Sequence, residues 1–195
     1  MPLRTSASYD KWATSRAADT STVGEYIPDR DKWSAGATPA LTSGTLYFVY
    51  FTAAVTETIT SMKVFTGGTL AAATPSICRM GVFSVADNGT LTEVASIAND
   101  TTLFLAANTT YARDFTATWT KTAGVRYATG LLVVSAVATP TFVGCVLQAN
   151  AITNAEYFAA PTRLAGYAGL TAWPTSPIAV GSLAGKSTMF ASKLY

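Results

Sequence analysis

The chain has 195 residues, enough for one domain with a sizeable core and an appendage but cramped for two. Charged residues make up 12% of it, about half the ~25% usual in soluble proteins, yet the longest apolar stretch, Gly130 to Ala138, is far short of the ~18–20 residues of a membrane span. A net charge of +2 with no basic cluster gives nucleic-acid binding no electrostatic support, which leaves burial against other subunits to explain the missing charge.

Residues 1–40 read as an extended N-terminal arm. Ten of the 24 charges lie in the first 32 residues, among Ser/Thr and three spaced aromatics, Tyr9, Trp12 and Trp33. The segment has no sustained period beyond a short helix at Tyr9 to Ala18, and it ends in a Gly/Pro stretch. Such a segment cannot offset its ordering entropy alone, so it is expected to anchor the protein to a neighbour, with those three rings as the assembly anchors. Met1 to Trp12 lacks the apolar core of an export signal, so synthesis and assembly are expected in the cytoplasm.

From Leu41 the pattern changes to short apolar or alternating runs separated by turn residues. Ala (34) and Thr (32) make up about a third of the chain, and Thr suits the pleated surface. Residues 41–195 are therefore predicted to be an antiparallel, jelly-roll-like β-sandwich of about eight strands, making the chain all-β. The runs are Thr45 to Thr52, Glu57 to Phe65 with Thr58, Thr60, Met62 and Val64 on one face, Ile77 to Val85, and Thr90 to Ile97. The last two flank Asp87-Asn88-Gly89, a hairpin signal. Tyr111 to Thr120 and Arg126 to Val137 read as the next pair, the second apolar enough to be central, and Thr141 to Leu147 follows Pro140. Residues 148–186 lose any clean period. Their prolines and glycines indicate a long loop excursion carrying Tyr157, Phe158, Tyr167 and Trp173, after which Thr188 to Tyr195 can close the sandwich. Those four aromatics are candidates either for stacking a surface ligand such as a sugar or for covering an edge or interface, with the second favoured.

Little chemistry accompanies this pattern. The chain has no histidine, which removes Ser/His/Asp and Cys/His catalysis and most zinc sites. Cys78 and Cys145 sit in apolar runs and read as reduced, buried small hydrophobes. Acidic residues beyond the arm are scattered singly, and the Gly-rich fragments lack P-loop spacing. No enzyme, cofactor or metal is expected.

An ordered series of fragments, Thr-Gly-Gly-Thr, Ala-Ala-Ala-Thr-Pro, Cys-Arg-Met-Gly-Val-Phe-Ser-Val and Arg-Tyr-Ala-Thr-Gly-Leu-Leu-Val-Val, resembles a domain in minor tail proteins of bacteriophages infecting actinobacteria. The resemblance spans about Leu46 to Leu147 and carries no catalytic signature. It implies a non-enzymatic virion component, a β-sandwich on the tail with a role in host-surface attachment, and therefore partners among other virion proteins and host surface glycans. A capsid decoration or head-fibre protein and a free carbohydrate-binding module are the alternatives. Only four charges follow Arg126, so a closed homo-oligomer is expected, with three copies favoured by tail-fibre analogy.

Overall fold

The computed structural model describes residues 22–23, 40–68, 75–137, 139–146, 164–186 and 188–195. Among the described residues twelve strands follow one another: β1 (Thr22–Val23), β2 (Thr45–Thr52), β3 (Glu57–Phe65), β4 (Ile77–Val85), β5 (Leu91–Ser96), β6 (Thr110–Lys121), β7 (Arg126–Val134), β8 (Gly144–Val146), β9 (Leu164–Tyr167), β10 (Ala184–Gly185), β11 (Thr188–Phe190) and β12 (Ser192–Leu194). They form a six-stranded sheet ordered β10-β9-β2-β7-β4-β5, a four-stranded sheet ordered β1-β12-β3-β6, and a two-stranded ribbon β11-β8. All pairings are antiparallel.

The topology is that of a jelly roll. Four pairs are nested in the sequence, β1 with β12, β2 with β7, β3 with β6 and β4 with β5, and successive pairs fall in opposite sheets. A long hairpin folded over on itself produces this order. The sequence expectation of an all-β sandwich holds, and β2, β3 and β4 occupy the expected runs. Among the described residues no helix is long and apolar enough to cross a membrane.

The hairpin at Asp87-Asn88-Gly89 is present, with a three-residue loop. The Gly89 amide donates to the Ala86 carbonyl at 2.8 Å, the Ala86 amide to the Thr90 carbonyl at 2.9 Å, and Gly89 alone in this turn has positive φ, at 82°. This is a turn closed by a left-handed residue, where a Cβ is disfavoured. Gly89→Ala is expected to cost about 1–2 kcal/mol, read as a lower urea midpoint with an unchanged slope.

Three expectations need correction. First, β6 and β7 are not paired: β6 joins β3 in one sheet, and β7 lies between β2 and β4 in the other. Their four-residue connection, 122–125, crosses between layers. Second, the inward face of β3 is Ile59, Met62 and Val64, while Thr58 and Thr60 are exposed. An irregularity between Ile59 and Ser61 shifts the register and flips the alternation. There the Thr60 and Ser61 amides turn from β6 to the Tyr195 carbonyl, at 2.5 and 3.1 Å. Third, residues 148–186 are not all loop, because β9 and β10 extend the six-stranded sheet beyond β2. The closing run is split as well: β11 pairs with β8 and β12 with β3.

The six-stranded sheet is buried on both faces, which explains why β2 (TLYFVYFT) is apolar throughout instead of alternating. Tyr47, Val49 and Phe51 of β2, Met80 and Val82 of β4, and Leu131 and Val133 of β7 meet Ile59, Met62, Val64 and Leu194 between the sheets. On the opposite face Leu46, Phe48, Tyr50, Phe83, Ala128 and Leu132, with Ala165 of β9 beside Phe48, are covered by Trp173 and Ile178 from the C-terminal segment. β7 runs through the middle of both cores.

Candidate functional site

The outer face of the six-stranded sheet holds the densest polar cluster near a residue singled out in the sequence. Trp173 comes from the segment after β9, which is tied down at two points. The Leu170 amide donates to the Gly44 carbonyl at 2.8 Å, and Leu91 and Ile178 exchange both backbone bonds, at 2.9 and 2.8 Å. Between these ties the indole lies against Phe83, ring centroids 5.6 Å apart, and over Gly81. A Cβ at position 81 would stand 2.8 Å from the indole Cζ2 and 2.8 Å from the Ala95 carbonyl oxygen. Only glycine leaves this slot open.

Four polar groups surround the slot. The Trp173 Nε1–H donates to one Glu93 carboxylate oxygen, and the Ser96 hydroxyl donates to the other at 2.7 Å. Arg79 donates from Nη2 to the Ser96 hydroxyl at 2.8 Å and from Nε to the Ile97 carbonyl at 2.9 Å, and its guanidinium lies 4.8 Å from the Trp173 ring centre. Burial pulls the Arg79 pKa down and the Glu93 charge opposes it. Ser96 is 3% exposed, and its hydroxyl is engaged as both donor and acceptor. These groups act together as a clamp on the indole.

Trp173 is 6% exposed, which sets aside the ligand-platform alternative for this ring: it covers the sheet as part of the second core. Tyr167 ends β9 opposite Leu46 and packs half-buried against the same core. Tyr9, Trp12, Trp33, Tyr157 and Phe158 lie outside the described residues. The sequence pattern does not single out Arg79, Glu93 and Ser96. The signal available was an arginine inside the apolar run ICRMGVF, which needs a polar partner if that run is a central strand.

Two groups that could serve as nucleophiles, Cys78 and Tyr50, are held neutral. Burial pushes the Cys78 thiol up to about 12, helped by the nearby Asp100 charge, and Cys78 is a free, buried cysteine. Burial likewise pushes the Tyr50 phenol up to about 12, against the opposing Arg126 guanidinium 4.8 Å from its ring. Among the described residues no group of three or more Cys, Asp or Glu is placed to hold a metal ion.

A second polar cluster fixes the β5–β6 connection. The Thr102 hydroxyl, the Arg113 guanidinium and the Thr102 amide donate to Asp100 at 2.5, 2.7 and 2.9 Å and hold its carboxyl below the usual carboxylate range. Because the folded pKa lies below the unfolded value near 4, this carboxylate contributes stability above that pH and loses it as pH falls through the folded pKa. Asp100→Asn is expected to cost about 1 kcal/mol at pH 7. Denaturation at pH 7 and below pH 4 should show the gap from the parent narrowing with acid.

Comparison with protein-family models and with curated proteins gives no match.

Proposed function

We propose that the chain is a non-enzymatic structural subunit of a bacteriophage virion, a minor tail protein exposed on the tail and engaged in host-surface attachment. The observation that carries this reading is where the tail-protein-like fragments fall. Cys-Arg-Met-Gly-Val-Phe-Ser-Val occupies β4, and Arg-Tyr-Ala-Thr-Gly-Leu-Leu-Val-Val is β7, its hydrogen-bonded neighbour. Within the pair Gly81 stands opposite Gly130, and the two clear space for Trp173 and Phe83 respectively. The resemblance thus rests on residues that build one scaffold, which supports a shared structural role.

The chemistry of the described site points the same way, since Glu93, Ser96 and Arg79 are engaged in seating a core tryptophan. Low charge supports burial among copies, and a closed homo-oligomer, three copies by tail-fibre analogy, is the assembly we favour. Tyr157 and Phe158 remain candidates for contact with a host glycan, and Tyr9, Trp12 and Trp33 for anchoring to other virion proteins. Antibody labelling of phage particles carrying the protein, viewed in negative stain, tests the proposal. Label along the tail is the expected result. Label on the capsid would move the protein to the head, and particles free of label would contradict a virion role.

A further inference from the structure

The nested strand order gives β1 a special position. β2–β7, β3–β6 and β4–β5 close the sandwich by themselves, whereas β1–β12 is the outermost pair and joins by two residue positions, Thr22 opposite Lys193 and Val23 opposite Ser192. Its receiving edge is formed without it. Three register positions on β3 hold β12, Ser192 and Leu194 are buried, and the Ser192 hydroxyl lies 3.3 Å from that of Thr129 in β7. A strand edge fixed in this way presents backbone donors and acceptors that call for a partner strand.

The connection after β1 is the longest crossing between the two sheets among the described strands. β2 passes to β3 through four residues, 53–56, β6 to β7 through four, 122–125, β3 to β4 through eleven, 66–76, and β5 to β6 through thirteen, 97–109. Between β1 and β2 stand 21 residues, 24–44, of which the last five are in the described sandwich, with Ala40 bridged to Thr141. The remaining sixteen, 24–39, can reach up to about 55 Å at full extension, although the stacked sheets to be bridged are only about 10 Å apart. A connection of this length brings the same edge on a neighbouring copy within reach of β1.

We propose that the β12 edge is a strand-acceptor site for a second copy of this chain, and that copies are linked in the assembly by exchange of β1, Thr22–Val23. The exchanged pair keeps the same register, Thr22 to Lys193 and Val23 to Ser192. It leaves the three inner pairs untouched, so the exchange requires no refolding of the sandwich. Copies linked one to the next close into a ring when the rotation between them allows. The inference stands independently of the tail assignment, because it depends on strand order and tether length.

Cross-linking of the full-length protein tests it. Thr22→Cys and Lys193→Cys are introduced together and, separately, into two differently tagged chains, all with Cys145→Ser; the native Cys78 thiol is buried and neutral. After mild oxidation the double variant should run on a denaturing gel mainly as covalent multimers, and mixing the two single variants should yield a mixed dimer. Closure of the double variant wholly within monomers, with no mixed dimer from the singles, overturns the exchange. Absence of any cross-link overturns it too, since β1 would then not lie against β12. Thr22→Pro with Val23→Pro supplies a check that needs no new thiol, because proline removes the strand's donors. Sedimentation should show this variant shifted to monomer with an unchanged far-UV spectrum. Association unchanged from the parent, or a parent that is itself monomeric at micromolar concentration, refutes the proposal.

Discussion

Replacing Trp173 with alanine is expected to destabilise the protein by about 3–5 kcal/mol, the range for truncating a large aromatic in a packed core. For a domain of this size that lowers the melting temperature by roughly 6–20 °C. The size of the effect follows from the seat. The indole fills a slot over Gly81, stacks on Phe83, and satisfies one oxygen of Glu93, and its removal leaves a cavity beside a carboxylate that has lost its donor. Glu93→Gln keeps the shape and opens no cavity, but it takes the charge from both accepted bonds and leaves one accepting oxygen in place of two, so its cost should be smaller, about 1–2 kcal/mol. A ring used as a ligand platform behaves in the opposite manner: its alanine variant keeps its stability and loses binding. Thermal denaturation of the two variants therefore separates a core tryptophan from a binding one.

The pair Glu57 and Lys121 gives the other large effect. The two residues stand opposite each other on β3 and β6 and form an ion pair, with the Lys121 side chain 1% exposed and that of Glu57 33%. Glu57→Gln leaves a buried ammonium without its carboxylate and is expected to cost about 3 kcal/mol. Lys121→Met removes the buried charge and fills the same volume; it leaves the buried Glu57 Oε1 without the ammonium, but the rest of that side chain is partly exposed, so a smaller loss of about 1–2 kcal/mol is expected. The double variant should match Lys121→Met alone. Urea denaturation of the three proteins measures this asymmetry, and equal losses in the two single variants would show that the ammonium is solvated.

Strand positions were legible in the sequence where turn residues bound a run on both sides. β2 between Gly44 and Ala53, β3 ahead of Gly67-Gly68, and β4 ahead of Asp87-Asn88-Gly89 fall where expected. Pairing was not legible to the same degree. A connection of four residues can close a hairpin or cross between layers, and nothing in Thr122 to Val125 distinguishes the two for β6 and β7. Local alternation also cannot foresee a register shift set by a distant strand, and the β3 irregularity is stabilised by Tyr195, far along the chain.

The site was hidden for a related reason. β9 (LAGY) is buried on both faces, so it has no period of two to detect and is short enough to pass for loop. Trp173 sits among prolines and glycines, which report backbone shape without telling which way a ring points. Its partner Glu93 is 80 positions away, and Arg79 stands 17 before Ser96; as single charges they carry no spacing motif. A glycine pair such as Gly81 and Gly130 becomes informative only when the register sets the two residues side by side.

The proposition that the C-terminal segment is part of the core, and not an excursion across the surface, is tested most directly by native-state hydrogen exchange. The Leu170 amide is bonded to Gly44 and the Ile178 amide to Leu91, so both should exchange as slowly as amides in the centre of β7, at rates set by global unfolding. The same two amides should be accelerated by several orders of magnitude in Trp173→Ala while those of β7 remain among the slowest. Exchange of Leu170 and Ile178 within seconds in the unmodified protein, with β7 still protected, would contradict a sheet whose second face is closed by its own chain.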